Sequence, residues 1–248
     1  MLSGNDNISA FNPTNMIIWM VLAFQAGLLN VGGLLACQTF VSHVTGFATL
    51  AALELESGRQ AHGLGLLAML VTFMLGSMVS GVLVDLRMKQ NKKPKYYIVF
   101  GFLFALTLAT AIGGFNNAFG RFGRSLADLS GYGLVVLLCF TCGLQNGTIT
   151  LVSKSIVRTT HLTGLVTDLG IGIIRVLNRK TLQGVETEWM ANLMRAGIVL
   201  FFFLGSLVGV PLFRAMEFRG FVFPCLISGV LFAMTLYFQV IRRQPQKG

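Results

Sequence analysis

His43-Val44-Thr45-Gly46 returns as His161-Leu162-Thr163-Gly164, and this is one of three echoes that keep the same order in the two halves of the chain. Upstream of each histidine, Ala26-Gly27-Leu28-Leu29-Asn30 answers to Cys142-Gly143-Leu144-Gln145-Asn146. Downstream, Phe73-Met74-Leu75-Gly76-Ser77-Met78-Val79 answers to Phe202-Phe203-Leu204-Gly205-Ser206-Leu207-Val208. A single four-residue match in a glycine-rich chain is noise, whereas three matches in order point to an internal duplication. Duplicated halves in a membrane chain mark transporters and channels, whose sites form where the repeats meet.

Composition sets the class. With 54% hydrophobic and 11% charged residues among 248, and a mean hydropathy of +0.73, there is too little polar surface to coat a soluble globule. Apolar runs near the roughly 20 residues that a helix needs to cross a bilayer occupy Met16–Ala36, Gly63–Val84, Tyr96–Phe115, Gly133–Val152, Ala196–Phe213 and Phe221–Ile241. The expected fold is an all-α membrane protein of about six transmembrane helices in two three-helix repeats. A polar N-terminal tail covers 1–15, the first membrane repeat 16–115, a linker 116–132, the second repeat 133–241 and a basic C-terminal tail 242–248. The tail before Met16 has neither a basic n-region nor a small-residue cleavage site, so it does not read as a cleaved signal peptide.

Two segments, Ser42–Leu55 and Thr160–Ile174, are apolar on average yet hold Thr45, Thr49 and Glu54 in one copy and Thr163, Thr167 and Asp168 in the other. Each is an extra short or re-entrant helix, or else each spans and the fold has eight helices. Charge arbitrates. If neither spans, Arg59, Arg121, Arg124, Arg214 and Arg219 lie on one side and the other fourteen of the nineteen Lys and Arg on the opposite side. If both span, the division is ten against nine and the positive-inside rule has nothing to act on. Six spans with both termini cytoplasmic is the expectation. An odd number of spans per half then inverts the second repeat relative to the first.

Thr39, Ser42 and Thr45, like Thr159, Thr160 and Thr163, are N-cap residue types that place a helix start close to each His-x-Thr-Gly motif. A helix that starts within the membrane leaves unsatisfied N–H groups and a partial positive charge, which attract anions. Gly46 and Gly164 leave room for close approach of backbone or ligand, and His43 and His161 can line the site as hydrogen-bonding groups that titrate near neutral pH. Helix packing by Thr and Gly is the competing account. Asp168, which has no acidic counterpart in the first copy, is either a proton or cation handle or an interfacial charge. The amides Asn30, Gln145 and Asn146 are either glue between helices or substrate contacts.

Other signals are bland. The net charge of +10 belongs to loops flanking the membrane, densest in Arg87–Lys95, and no nucleic-acid motif accompanies it. Cys139 and Cys142 sit in an apolar span without a redox or zinc context. No catalytic motif, metal-ligand set or cofactor fingerprint is present, so neither enzyme activity nor a cofactor is expected.

The run Phe40-Val41-Ser42-His43-Val44-Thr45-Gly46 after a glycine-rich first span, then Cys142-Gly143-Leu144-Gln145-Asn146-Gly147 and Thr159-Thr160-His161-Leu162-Thr163-Gly164, is similar to the YoaK family. This is a group of small bacterial membrane proteins sharing a domain of unknown function. The resemblance covers nearly the whole chain and implies a polytopic bacterial inner-membrane protein, with no substrate attached. The family more often follows the first motif with Asn, where this chain has Phe47, and the second copy has Leu165. The stretch Gly81–Lys89, followed by Lys92 and Lys93, resembles part of the glycine-aspartate-basic signature after the second span of major facilitator transporters. That resemblance implies half a transporter working as a homodimer.

The function expected from these readings is a small-molecule transporter or channel in the lipid bilayer, its unknown and anionic substrate held between the two His-x-Thr-Gly segments. The alternative is a non-transporting regulatory or scaffold protein. Reporter fusions after Lys95, Lys180 and Lys247 are expected to report the cytoplasm, and fusions after Arg59, Arg124 and Arg219 the opposite side. Arg59 and Lys180 on one side with Lys95 on the other is the eight-helix result.

Overall fold

Asn12 opens the first helix: its side-chain oxygen accepts from the Thr14 N–H at 3.0 Å, and Pro13 takes the first helical position, where its missing N–H is not needed. The computed structural model describes residues 12–124, 129–153, 155–182, 185 and 187–242. The tails to residue 11 and from residue 243, Lys154 and part of the 116–132 linker lie outside the described residues. Among the described residues all regular structure is helical. The helices are α1 (Pro13–Cys37), α2 (Val44–Glu56), α3 (Gln60–Ser80), α4 (Leu86–Lys89), α5 (Tyr96–Phe115), α6 (Leu129–Val152), α7 (Leu162–Leu177), α8 (Glu188–Met216) and α9 (Val222–Leu236). A π-helical turn, Gly81–Asp85, runs α3 into α4, and a 3-10 turn, Glu217–Phe221, separates α8 from α9.

Five stretches are long and apolar enough to cross a membrane: Pro13–Cys37, Gln60–Lys89, Tyr96–Phe115, Gly131–Val152 and Glu188–Ile241. The last holds both α8 and α9, with Glu217 at φ 50° breaking the helix between them. Large apolar side chains such as Phe203 on α8 (59% exposed) and Leu226 on α9 (60% exposed) cover the outside of the bundle. Such a surface suits hydrocarbon and not water, so the chain is a multi-pass integral membrane protein. Helix α8 starts eight residues before the expected Ala196, because Glu188 and Asn192 accept hydrogen bonds from Arg195 and satisfy its charge at the helix start.

Side-chain neighbours fix the helix directions. Along α1 and α6, Leu22 lies by Gln145, Gly33 by Leu138 and Cys37 by Gly131, so the two run antiparallel. Along α3 and α6, Gly65 faces Tyr132 and Gly147 faces Ser77 and Ser80, so these run parallel. Helices α1 and α8 are parallel as well, with Gly197 at Met20 and Gly209 at Val31. Consequently α3 runs against α1, although α2 lies between them in sequence.

Four glycines set the spacing of the two parallel pairs. Gly27 meets the Phe202 carbonyl and Gly205 the Phe24 carbonyl; Gly76 meets the Phe140 carbonyl and Gly143 the Phe73 carbonyl. A side chain on any of the four would overlap backbone of the facing helix. The adjacent serines close the contact: Ser77 Oγ donates to the Gly143 carbonyl at 3.0 Å and Ser206 Oγ to the Gly27 carbonyl at 3.4 Å. Two of the three sequence echoes are thus packing devices, and the Gly-Leu element of each half meets the Gly-Ser element of the other half. The antiparallel α5 and α9 meet in the same reciprocal way. Gly101 lies under Phe232 and Gly229 under Phe104, and the two rings stack at 6.1 Å.

A buried polar chain ties the centre together. Ser228 Oγ donates to Gln25 Oε1 at 3.1 Å, and Gln25 Nε2 donates to Gln145 Oε1 at 3.0 Å. Gln145 Nε2 then donates to the Leu22 carbonyl at 2.8 Å. Every amide group in this chain has a partner, as burial in a low-dielectric interior demands.

The added methyl of Gly205→Ala would strike the Phe24 carbonyl, whereas Gly133→Ala would enter space with no atom within 4 Å. Gly205→Ala should therefore lower stability by about 1–3 kcal/mol, the usual cost of overpacking, and Gly133→Ala should not. Thermal unfolding of the purified protein in detergent reads the difference.

Candidate functional site

Helices α2 and α7 begin inside the bundle. After α1 ends at Cys37 the chain doubles back until Ser42 Oγ donates to Asn30 Oδ1 at 2.9 Å. After α6 ends at Val152 it doubles back until the Thr160 N–H donates to Asn146 Oδ1 at 3.3 Å. Asn30 and Asn146 stand in like places of the first echo. Each lies about 10 Å from its helix end by helical rise. Gln145 Nε2 also reaches Thr159 Oγ1 at 3.4 Å and steadies the second hairpin.

The two hairpins enter from opposite ends. The end of α1, the Gly123 loop and the starts of α3 and α6 share one end, through Gly123 N–H to the Ala36 carbonyl and the contact of His62 with Tyr132. Helix α2 leaves at that end, where Glu54 pairs with Arg59. The hydrogen bond from Arg59 holds the Glu54 carboxyl below its usual range. Helix α7 leaves at the other end, where Arg175 reaches Glu188 at 3.4 Å beside the start of α8.

Each histidine is the N-cap of its short helix, His43 at φ −94°, ψ 72° and His161 at φ −100°, ψ 64°, and neither gives its helix a side-chain capping bond. The expected cap was a neighbouring Ser or Thr. The first-turn N–H groups of α2 and α7 therefore keep the partial positive charge of a helix start. The glycines of the motif have a definite use: the space a Cβ would fill at Gly46 holds the His43 ring, and at Gly164 the His161 ring. A ligand does not need that room, because the histidine folded back on its own helix takes it.

Both starts face one open cavity of about 700 Å³, with Ser42, His43, Val44 and Thr45 on one wall and Thr160, His161, Leu162 and Thr163 on another. Leu70, Phe73, Met74, Ser77, Gly81 and Asp85 of the α3 strip close a third side, and Asn146, Gly147, Thr150 and Leu151 of α6 a fourth. Of the candidate residues, His43, Thr45, Asn146, His161 and Thr163 line the cavity, and Gly46 and Gly164 sit beneath the rings. Asn30 holds Ser42, and Gln145 belongs to the buried polar chain. Asp168 lies exposed on α7 and is not among the lining residues.

Sequence reasoning missed Arg158 and Asp85, which also line the cavity. Arg158 Nη1 lies 3.1 Å from His161 Nδ1, and Asp85 pairs with Lys89 at 3.0 Å. A signal for Arg158 was present: it stands three residues before His161, where Phe40 precedes His43 and meets that ring edge-on at 5.7 Å.

Cysteines placed at positions 43 and 161 should be joined by a flexible bis-maleimide, since both side chains open into the same cavity. The four native cysteines are buried, so the wild-type chain serves as the control. A folded double variant that stays uncrosslinked would show that the two starts do not share a space.

The family model described as a protein of unknown function (DUF1275) matches residues 18–234, which agrees with the YoaK-like resemblance; nothing in the comparisons supports the likeness to major facilitator transporters. No curated protein and no solved structure matches the chain.

Proposed function

The chain belongs to the DUF1275 family, and from the geometry of its cavity we propose that it is a transporter or channel for a small anionic solute. The solute sits between the starts of α2 and α7. One observation carries this reading: two segments far apart in sequence, each a helix start without a side-chain cap, line a single cavity within the bundle. Helix starts within a membrane-embedded bundle attract negative charge, and Arg158 adds a full positive charge to the same wall. A volume of about 700 Å³ is in the range of small-molecule sites.

The topology that goes with this function is six spans, with α2 and α7 as half-helices that enter from opposite faces. Their lengths of 13 and 16 residues correspond to about 20 and 24 Å, short of a bilayer core. The antiparallel run of α1 and α3 supports α2 turning back, because a full crossing by α2 would make them parallel. The antiparallel run of α1 and α6 supports an inverted second repeat, and so do the reciprocal glycine contacts. Gly101–Thr107 and Gly229–Thr235 share Gly, Leu, Phe, Ala and Thr at matching places and add a fourth echo. With the basic loop Arg87–Lys95 cytoplasmic, both termini are cytoplasmic too.

Proteoliposomes holding the purified protein should take up labelled acetate and benzoate faster than protein-free vesicles, and should not take up choline or a neutral sugar. Thr163→Trp, which fills the cavity, should lower the anion rate by about tenfold or more, equivalent to about 1.4 kcal/mol on the barrier. Anion uptake no faster than in empty vesicles would overturn the reading.

A further inference from the structure

The cavity is unequal in its two halves, and the inequality has chemical content. Arginine is always protonated and offers only donors, so its contact with a histidine ring nitrogen has one possible sense. Arg158 Nη1 donates, and His161 Nδ1, at 3.1 Å, accepts. An accepting Nδ1 carries no proton, which leaves the ring proton on Nε2 and makes that nitrogen a donor. In the first copy Phe40 stands where Arg158 stands in the second, and it contacts His43 through its ring edge. His43 therefore receives no such direction.

Charge in the cavity is also unequal. Its one carboxylate among the lining residues, Asp85, is balanced by Lys89 at 3.0 Å. Among the described residues Arg158 has no carboxylate partner; its side-chain bond goes to a neutral imidazole and leaves further guanidinium N–H groups to be satisfied. A half-buried guanidinium with no carboxylate partner, on the wall of a cavity, marks a place where an anion completes the charge. One uncompensated positive charge calls for one negative charge. The planar fork of a guanidinium fits the two oxygens of a carboxylate better than a point charge does. The same cavity is lined by Leu70, Phe73, Met74 and Leu151, which offer an apolar body a surface but cannot themselves satisfy a second anionic group.

Building on the proposed site, we infer that its ligand is a small monocarboxylate with an apolar tail. Arg158 grips the carboxylate, and His161, oriented by Arg158, supplies a second donor from Nε2. His161 is a positioning and donor residue on this account, and Arg158 is the residue that selects for charge.

Binding is read by thermal shift of the purified full-length protein with butyrate and benzoate, against butyramide, inorganic phosphate, sulfate and phosphatidylglycerol micelles. Butyrate and benzoate should stabilise the wild type and the others should not. Arg158→Gln should weaken butyrate by about tenfold or more, the usual scale for losing a charge-assisted pair. Arg158→Lys should fold and bind with intermediate strength, since it keeps the charge but loses the fork. Independently of any ligand, nitrogen-15 NMR of labelled histidine should place the His161 ring proton on Nε2 in the wild type and divide it between both nitrogens in Arg158→Gln.

Equal response to butyramide and butyrate overturns the carboxylate assignment. So does equal or stronger response to phosphate, sulfate or phosphatidylglycerol, the last pointing to a lipid headgroup. Butyrate affinity in Arg158→Gln within twofold of the wild type removes Arg158 from recognition; should that variant not fold, unchanged affinity in Arg158→Lys does the same. Binding without uptake in proteoliposomes sinks the transport function and leaves this inference standing, whereas uptake that survives Arg158→Gln does the opposite.

Discussion

The contact of helix backbone with helix backbone at four glycines is the constraint on which the rest depends. In lipid there is no hydrophobic force between helices, because the tails are as apolar as the side chains; close approach and hydroxyl bonds have to do the work. Gly27 against Gly205, and Gly76 against Gly143, bring carbonyls to the surface of the neighbouring helix, and Ser77 and Ser206 bond across the same crossings. These crossings decide which helices are neighbours and in which direction they run. They also place Asn30 and Asn146 where each can hold a returning chain. Asn146 accepts from the Thr160 backbone N–H and Asn30 from the Ser42 hydroxyl, so polar groups of the returning chain find partners, as the interior of a membrane protein requires.

Much of the frame was legible in the sequence, because apolar length and the glycine-serine echoes are strong signals. The six expected apolar runs fall on helices, which form five stretches long and apolar enough to cross a membrane, and both short helices start at the expected motifs. What the echoes could not give was partnership: Gly27 packs against Gly205 in the other half, and only the tertiary arrangement says so. The echo of Gly101–Thr107 in Gly229–Thr235 was readable, but its residue types are the commonest in such a chain and it did not stand out.

Part of the cavity lining is legible in the sequence, namely His43, Thr45, Asn146, His161 and Thr163. The glycine pattern predicts room for a ligand at Gly46 and Gly164, and the histidine three residues earlier fills that room. Gln145 looked like a site residue because it is polar and intramembrane, but its amide is used up by Gln25, Leu22 and Thr159. Arg158 was counted with the basic residues that orient the chain, since nothing in its type separates a topological charge from a functional one. At 3.1 Å from the His161 ring and on the cavity wall, Arg158 stands apart from the basic residues of the loops. The glycine-serine packing positions match in the two halves, whereas Phe40 stands beside His43 and Arg158 beside His161, so the two cavity walls are chemically unequal.

In the proposed topology two half-helices enter from opposite faces and start at a common depth near the middle of the bilayer. Spin labels attached at positions 43 and 161, one at a time in reconstituted bilayers, report their depth through the ratio of collisions with oxygen and with a polar nickel reagent. Nearly equal depths are expected, both well below the headgroups, from labels whose helices leave the membrane on opposite sides. A label at headgroup depth in either position, or two depths differing by the greater part of the hydrocarbon thickness, would contradict it.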